Sequence, residues 1–347
     1  MEGKMKAAVL IETGKVEYQE RDIPTLRDDQ VLIKMMHCGI CGSDVHYYEH
    51  GRIGDFVVRE PMVLGHEGAG RIVEVGSAVT DLKAGDLVTM EPGIPCGHCH
   101  YCKTGNYNLC PDVIFFATPP VDGIFQEYVA HPANMCFRLP EGMDTVTGAL
   151  MEPLSVGFFA AEQGWATVGQ SAVVLGSGCI GLCTLMALKA RGVNEVYVAD
   201  VFDIRLDKAM ELGAAGVINA SREDTVQRIL ELTGGEGVDL VFETAGSRVT
   251  TQQTPKLVRR GGTIVMVGMA PDSELVYDLG TVVAKQATVR SVFRYRNLYP
   301  TCIDAANRVP LPVKSIVTKY FPFDKIPEAI EYNIKNKSET VKVVIEY

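Results

Sequence analysis

The chain has 347 residues, with 33 Lys or Arg against 43 Asp or Glu, a formal net charge of −10 at pH 7 and 47% hydrophobic residues. This composition excludes a predominantly disordered chain, and the length predicts two domains, each large enough to bury its own core. Because the chain is acidic and has no long Lys/Arg run, it lacks the positive surface that attracts nucleic acids and anionic membranes, so we expect neither as a partner.

The N-terminal segment does not resemble a secretion signal. Its apolar run, 7–11, is too short for the hydrophobic region of a signal peptide, so we expect a cytoplasmic protein. The uncharged stretch 163–188 has the length of a membrane span, but five glycines interrupt it. We interpret this stretch as a strand, a turn and a buried helix.

The pattern of apolar residues changes along the chain. Up to about residue 153, short apolar segments alternate with Gly and Pro, which indicates irregular β structure with long loops. The next part predicts an α/β, doubly wound parallel sheet with strands at 172–175, 196–199, 217–218, 240–242 and 263–267, and helices at 180–191, 204–212 and 225–232. Pro-containing loops follow 293, then a helix near 327–336 and a strand at 341–345 that we expect to return to the first domain.

A glycine-rich turn predicts a dinucleotide site. Gly176, Gly178 and Gly181 form a GxGxxG motif directly after a predicted strand and at the start of a predicted helix. These glycines permit a tight turn, close approach of a pyrophosphate and close helix packing. Asp200 ends the next strand, where its carboxylate can accept hydrogen bonds from both ribose hydroxyls and would repel a 2′-phosphate, which favours NAD over NADP. Arg205 leaves three alternatives open: a phosphate contact, stacking on adenine, or a solvated side chain.

Four cysteines lie within fifteen residues of one Gly- and Asn-rich loop, with the spacing C-x2-C-x2-C-x7-C: Cys96, Cys99, Cys102 and Cys110. Four thiolates suit tetrahedral Zn²⁺ and leave no position for substrate, so this pattern predicts a structural zinc site. The spacing alone does not exclude an iron–sulfur cluster.

A second group of metal-binding residue types lies in two Gly-flanked turns. Cys41 belongs to the first turn, and His66 and Glu67 belong to the second. Each residue alone has an ordinary structural interpretation, as a core thiol, a loop histidine or a solvated charge. Together they offer three ligands and an open fourth position, which is the arrangement of a catalytic zinc.

The sequence as a whole resembles the zinc-dependent medium-chain alcohol dehydrogenases. The resemblance rests on CGICGSD ending at Asp44, on GHEGAG at 65–70, on the four-cysteine segment and on the late GxGxxG, and it covers the full length. The runs HYYEHGRIG at 46–54, MEPLS at 151–155 and FRYRN at 293–297 resemble the polyol branch of that family. The resemblance to this family implies a GroES-like zinc domain at 1–155, a Rossmann domain at 156–293 and a return to the first domain at 294–347.

The resemblance also implies roles for individual residues. Cys41, His66 and Glu67 would hold the catalytic zinc, with Glu152 as a direct or water-mediated ligand. Ser43 and His46 would serve a proton path, and Asp44 would orient a ligand. The expected polyol contacts are Tyr47, Phe116, Glu152, Arg294 and Tyr295. The expected NAD contacts are Gly176, Gly178, Ile180, Gly181, Asp200, Arg205, Gly268, Met269, Ala270, Val292, Phe293 and Arg294.

The implied activity is the NAD-dependent oxidation of a small-molecule polyol, with sorbitol first, by a homo-tetramer or homodimer. Xylitol, arabinitol, threonine and secondary alcohols remain alternative substrates, because dehydrogenases of these compounds share the zinc and NAD motifs. A non-catalytic NAD-binding zinc protein and a zinc-free quinone reductase are disfavoured, since neither needs an open metal site built from Cys41, His66 and Glu67.

Overall fold

The computed structural model describes residues 2–269, 274–309 and 311–347. The chain forms two compact units. The first consists of Met1–Glu152, Tyr299–Asn307 and Val317–Tyr347, and the second of Pro153–Leu298 and Arg308–Ile316.

Twenty strands and eleven α-helices lie in this described part of the chain. The strands are β1 (Lys4–Glu12), β2 (Lys15–Asp22), β3 (Gln30–Gly39), β4 (Arg52–Ile53), β5 (Phe56–Val57), β6 (Met62–Val63), β7 (Glu67–Val75), β8 (Leu87–Met90), β9 (Gly93–Ile94), β10 (Ile114–Phe115), β11 (Tyr128–Pro132), β12 (Cys136–Arg138), β13 (Ser171–Leu175), β14 (Glu195–Asp200), β15 (Gly216–Asn219), β16 (Val238–Glu243), β17 (Val258–Met266), β18 (Thr288–Ser291), β19 (Val317–Pro322) and β20 (Lys342–Glu346). The helices are α1 (Gly42–His50), α2 (His100–Lys103), α3 (Thr145–Ala149), α4 (Met151–Gln163), α5 (Cys179–Ala190), α6 (Asp203–Glu211), α7 (Thr225–Leu232), α8 (Arg248–Leu257), α9 (Leu279–Ala284), α10 (Tyr299–Arg308) and α11 (Ile326–Lys335).

The first unit is built on a mostly antiparallel sheet in the order β12-β8-β7-β3-β20-β19, with β11 also pairing with β3. A smaller sheet, β2-β1-β6, supplies Val9 and Leu10 to the same apolar core as Ile33 and Ile345. Strand β3 pairs with β7 on one side and with the C-terminal strand β20 on the other. The chain's last strand therefore lies beside the strand that leads to Cys41.

The second unit contains a parallel sheet in the order β15-β14-β13-β16-β17-β18. In chain order within this unit, that arrangement is 3-2-1-4-5-6, the doubly wound order of dinucleotide-binding domains. Strands β13, β14 and β16 are largely buried apolar runs, as expected of central parallel strands, whereas β18 is largely exposed. The predicted α/β fold class with a second, mainly β domain is confirmed. Ligands of such sheets bind where the order reverses, at the carboxyl ends of β13 and β16.

The predicted strands and helices of the second unit are present, but their boundaries differ by up to five residues. The prediction also missed helices. Helix α8 consists mostly of polar and β-branched residues, so its sequence lacks an apolar stripe. It also contains Pro255 in its last turn. Helix α10 replaces a predicted Pro-containing loop, because Pro300 lies in the first helical turn, where a missing N–H costs nothing. Within the described ranges, no helix is both long and apolar enough to cross a bilayer.

Candidate active site and metal centres

The first unit brings Cys41, His66 and Glu67 together. Cys41 lies between β3 and α1, His66 directly precedes β7, and Glu67 begins that strand. One ligand atom from each residue lies within 4.8 Å of the other two. Gly65 makes the second turn possible, since its φ is +86° and a Cβ there would lie 2.6 Å from the Phe125 ring. The donors are a thiol, an imidazole and a carboxylate, and this set fits a zinc ion with one open position.

Asp44 joins the two turns. Its carboxylate is fully buried and accepts hydrogen bonds from the backbone N–H of Cys41 at 2.9 Å and of Gly65 at 2.8 Å. Burial raises the pKa of Asp44, whereas the nearby His66 and the two N–H groups oppose that rise. The residue therefore contributes to the site by fixing the loops that carry the ligands.

His66 is the most strongly perturbed group of this site. Burial lowers the pKa of His66. The Cys41 thiol and the carboxyl groups of Asp44 and Glu152 raise it by a larger amount, so that the net pKa is about 10. Glu152 is buried in the first turn of α4, and its effect on His66 indicates that it belongs to the same negatively charged surroundings. A cation is electrostatically favoured in such surroundings.

Sequence reasoning missed one charged residue here. The ammonium group of Lys342 contacts Oε2 of Glu67, and both side chains are buried, with 2% and 1% exposed. The sequence did contain one signal, a lysine inside the otherwise apolar strand predicted at 341–345. Because an unpaired lysine is almost never buried, this position indicates a buried acidic partner.

The four-cysteine segment forms the second cluster. The Sγ atoms of Cys99 and Cys102 are 3.4 Å apart, and those of Cys96 and Cys102 are 3.9 Å apart. Tetrahedral zinc with Zn–S bonds of about 2.3 Å separates its sulfurs by about 3.8 Å, so the spacing fits zinc. Backbone N–H groups of His98 and Cys99 lower the pKa of the Cys96 thiol to about 6, whereas burial raises the pKa values of Cys102 and Cys110. The fourth member, Cys110, accepts a hydrogen bond from the backbone N–H of Cys96.

A buried acid adjoins this segment. Tyr107, between the third and fourth cysteines, donates a hydrogen bond of 2.7 Å to Glu91, which is 3% exposed. Burial raises the pKa of Glu91 to about 7, the Tyr107 hydroxyl lowers it, and Glu152 raises it. His131 lies 2.8 Å from the carbonyl oxygen of Glu91, and its ring packs 4.7 Å from that of Phe116. This cluster also escaped sequence reasoning, because its members are far apart in the chain.

Three predicted polyol contacts are aromatic residues that are almost fully buried: Tyr47 is 3% exposed, Phe116 8% and Tyr295 3%. Arg294 and Tyr295 lie in the second unit. Arg294 adopts a positive φ of 55°, which is uncommon for a residue with a side chain, and its guanidinium packs over the Phe293 ring.

Ser43 and His46, the predicted proton path, lie one turn apart on α1. His46 lies at the surface, where partial desolvation of its ring and the neighbouring His50 lower its pKa and so favour the neutral imidazole. A neutral imidazole can both accept and donate a proton, as a relay requires.

The glycine-rich turn of the second unit has the predicted geometry. Gly176 has a φ of +96° and follows β13 directly. A Cβ at Gly181 would overlap the carbonyl oxygen of Gly176, so only glycine allows the start of α5 to approach the turn. A Cβ at Gly178 would meet only Arg205, at 3.8 Å, which leaves open space beside the helix N-terminus. This space and the N–H groups of the turn suit a pyrophosphate.

Asp200 connects the glycine-rich turn to the end of β14. Oδ2 accepts a hydrogen bond from the backbone N–H of Ser177 at 2.7 Å, and Oδ1 accepts those of Val201 and Phe202. A carboxylate has about four acceptor sites, so capacity for a ribose hydroxyl remains. Arg205 stacks on the Phe202 ring and lies 3.9 Å from Asp200. Among the three alternatives for Arg205, full solvation is therefore wrong.

The other predicted NAD contacts lie around the carboxyl ends of the same sheet. Gly268 and Met269 follow β17, Ile180 lies in the first turn of α5, and Val292 and Phe293 follow β18. Ala270 lies outside the described residues.

Sequence reasoning missed Glu243, which ends β16. Its buried carboxylate accepts hydrogen bonds from the N–H groups of two following residues and from a threonine hydroxyl: Ala245, Gly246 and Thr250.

Two family models match the chain. The alcohol dehydrogenase GroES-like domain matches residues 27–141, and the zinc-binding dehydrogenase model matches residues 179–308. Together the two models cover more than half of the sequence.

Several curated relatives align over nearly the whole chain. The uncharacterized zinc-type alcohol dehydrogenase-like protein YdjJ of Escherichia coli (strain K12) is 44% identical to this chain. The alignment covers 99% of this chain and 99% of that protein. Sorbitol dehydrogenase of Bacillus subtilis (strain 168) is 39% identical, over 98% of this chain and 97% of that protein. D-xylulose reductase of Morganella morganii is 42% identical, over 94% and 97%.

Solved structures share the fold. A zinc-binding dehydrogenase from Sinorhizobium meliloti 1021, bound to NADP, has a TM-score of 0.91 and 30% identity, with 99% of this chain and 100% of that chain covered. An alcohol dehydrogenase from Escherichia coli CFT073, complexed with NADH, has a TM-score of 0.91 and 28% identity, with 99% of both chains covered. By its matched domains and its relatives, the chain belongs to the zinc-dependent medium-chain alcohol dehydrogenase family and is an oxidoreductase.

Proposed function

We propose that this protein oxidises a polyol to the corresponding ketose and transfers the hydride to NAD. The observation that carries the proposal is the grouping of Cys41, His66 and Glu67, whose ligand atoms all lie within 4.8 Å of one another. Three protein ligands leave one position for a substrate oxygen, whereas a structural site fills all four. The names of two relatives, sorbitol dehydrogenase and D-xylulose reductase, support a polyol substrate.

The chain's own residues hold and move protons in this proposal. When bound, zinc supplies Lewis acidity that lowers the pKa of a coordinated hydroxyl, and NAD accepts the hydride. Glu152, which is buried and whose carboxyl group raises the pKa of His66, accepts a proton directly or through water. Ser43 and His46 offer a second route toward the surface, because His46 is exposed and its lowered pKa favours the neutral imidazole.

Hydrogen bonds to several hydroxyls would give the site its specificity. We assign Tyr47, Phe116, Glu152, Arg294 and Tyr295 to the polyol. A site that satisfies buried polar groups with substrate hydroxyls rejects simple alcohols, since those groups then stay unpaired. The buried aromatic side chains would exclude water around the reacting carbon.

The choice of NAD depends on Asp200. Related structures hold NADP in one case and NADH in another, so the fold does not decide between the two. The carboxylate of Asp200 is fixed by three N–H groups at the end of β14 and would repel a 2′-phosphate. Arg205 packs on Phe202 beside this carboxylate, which leaves it less available to a phosphate.

The test is the initial rate of NAD reduction by zinc-replete protein with sorbitol, xylitol, arabinitol, threonine and a simple secondary alcohol, followed as NADH absorbance. We expect a polyol to turn over much faster than the secondary alcohol. Faster oxidation of xylitol than of sorbitol would favour the D-xylulose branch. No turnover of any polyol by protein that binds NAD and two zinc ions would contradict the proposal.

We also propose a cytoplasmic homo-oligomer, a tetramer or a dimer. Strand β18 ends the described order of the parallel sheet, so one of its edges has no partner strand there. Exposed apolar side chains lie on β18 itself, with Val289 43% exposed, and on the segment that precedes it in sequence, with Val276 83% and Val283 77% exposed. An open strand edge with apolar neighbours favours pairing with a second copy. Light scattering of the wild type and of Val283→Glu tests this assembly, and a monomeric wild type would contradict it.

A further inference from the structure

A buried ion pair adjoins the proposed catalytic metal centre. Lys342, the first residue of β20, directs Nζ to Oε2 of Glu67 and donates a hydrogen bond of 3.0 Å to the carbonyl oxygen of Ile40. Solvent does not reach the pair, since the side chains are 2% and 1% exposed. The carboxylate therefore faces two cations in this proposal: a metal ion and the ammonium group.

Three adjacent strands create the space for this pair. Gly39 of β3 is paired with Glu67 of β7 on one side and with Val344 of β20 on the other. A Cβ at Gly39 would overlap Oε2 of Glu67 and would lie 2.8 Å from Cε of Lys342. The glycine thus leaves room for the lysine side chain to cross from β20 to the carboxylate.

Fold stability alone does not explain such a pair. Removing an ammonium and a carboxylate from water costs several kcal/mol per ion, and apolar residues of similar volume often stabilise a fold as well. A buried charged group beside a metal ligand commonly orients that ligand. An ammonium group suits this task, since it has three donors and no lone pair with which to bind metal.

We propose that Lys342 is a positioning residue that holds Oε2 of Glu67 and so limits this carboxylate to binding zinc through one oxygen. The inference rests on the metal centre of the proposed function. Carboxylates bind metal ions through one oxygen or both, and binding through both would occupy the position that substrate needs. Lys342 thereby keeps the fourth position open.

The test uses the full-length protein with zinc in the four-cysteine site and Co²⁺ exchanged into the Cys41 site. Four-coordinate Co²⁺ absorbs visible light more strongly than five-coordinate Co²⁺, so the spectrum reports the coordination number directly. In Lys342→Met we expect the absorption to fall severalfold, with two metal ions per chain retained. Turnover should fall by about 10- to 100-fold, the usual effect of losing a group that orients a ligand.

Three variants serve as controls. Lys342→Arg keeps the charge and should keep the strong spectrum. Lys285→Met removes another lysine with three backbone carbonyl partners, in the second unit, and should leave the spectrum unchanged. Glu67→Gln with Lys342→Met removes both buried charges, so it keeps the test available if the single variant does not fold. The side-chain amide in the Glu67→Gln, Lys342→Met double variant does not chelate as a carboxylate does. We therefore expect this variant to show the strong Co²⁺ spectrum that Lys342→Met alone loses.

The outcomes separate the role of Lys342 from the existence of the metal centre. An unchanged spectrum in Lys342→Met, loss of its Co²⁺, or a weak spectrum in the double variant would overturn the role of Lys342. A wild-type protein that binds only one metal ion per chain would instead contradict the proposed catalytic centre itself.

Discussion

Oδ1 of Asp44 accepts a hydrogen bond of 2.8 Å from the backbone N–H of Gly65, while Oδ2 accepts one of 2.9 Å from Cys41. One buried carboxylate thus fixes two turns that are more than twenty residues apart, one with Cys41 and one with His66. The precise placement of metal ligands depends on such supporting contacts.

Asp44→Asn should weaken metal binding at the Cys41 site. An amide has one acceptor oxygen and presents an NH₂ group to one of the two N–H donors, so one turn loses its anchor. We expect zinc affinity at this site to fall by about 10- to 100-fold, measured as zinc retained against a chelator. Asp86→Asn is the matched control, because Asp86 holds a loop through Lys83 and Arg138. Equal retention by Asp44→Asn and the wild type would remove Asp44 from the metal site.

Cys99→Ser should remove the structural zinc and leave the catalytic one. The Sγ of Cys99 accepts a hydrogen bond from the N–H of Cys102 and lies 3.4 Å from its sulfur, so its loss breaks the tetrahedral set. We expect one zinc per chain instead of two and a lower Tm, because zinc binding contributes directly to folding of its loop. NAD binding, measured by fluorescence titration, serves as the control. Two zinc ions per chain in Cys99→Ser would refute a four-cysteine zinc site.

Much of the fold was predictable, since local patterns encode it. Helix α7 matches its prediction, 225–232, because its apolar residues recur at helical spacing and Asp224 caps it. The four cysteines were predictable for the same reason: they are neighbours in sequence. Lys342 and Glu67 were not, since 275 residues separate them and only the pairing of β20 and β7 with β3 brings them together. Side chains that meet through such long-range pairing leave only a weak signal in the sequence.

Asp200→Ala should change the preference between NAD and NADP. Loss of the carboxylate removes a ribose acceptor from NAD and a repulsive charge from NADP. It also removes the hydrogen-bond acceptor of the Ser177 N–H, whichever cofactor is bound. We therefore expect the ratio of KM for NAD to KM for NADP to rise by about tenfold or more, equivalent to one charged hydrogen bond. Asp224→Ala, which removes the carboxylate that caps α7 in the same unit, is the control and should leave the ratio unchanged. An unchanged ratio in Asp200→Ala would exclude this carboxylate from cofactor selection.

Glu91→Gln should make the stability of the first unit depend less on pH. Burial raises the pKa of Glu91 from 4.5 to about 7, with Tyr107 lowering it and Glu152 raising it. The folded chain therefore retains a proton that the unfolded chain releases, and the free energy of unfolding falls as pH rises from about 4.5 to about 7. Above pH 7 this destabilisation is complete.

The glutamine variant cannot ionise, yet its side-chain oxygen still accepts the hydrogen bond from Tyr107. From about pH 5 to about pH 8, we expect Glu91→Gln to gain about 2 kcal/mol in the free energy of unfolding relative to the wild type, measured by urea denaturation. Burial lowers the pKa of His131 to about 4, an effect of opposite sign that cancels in this comparison because both proteins contain His131. Tyr107→Phe removes the hydrogen bond that lowers the pKa of Glu91. In this variant the free energy of unfolding should therefore continue to fall to a higher pH than in the wild type. Parallel curves for the wild type and Glu91→Gln would mean that Glu91 is ionised across the whole range.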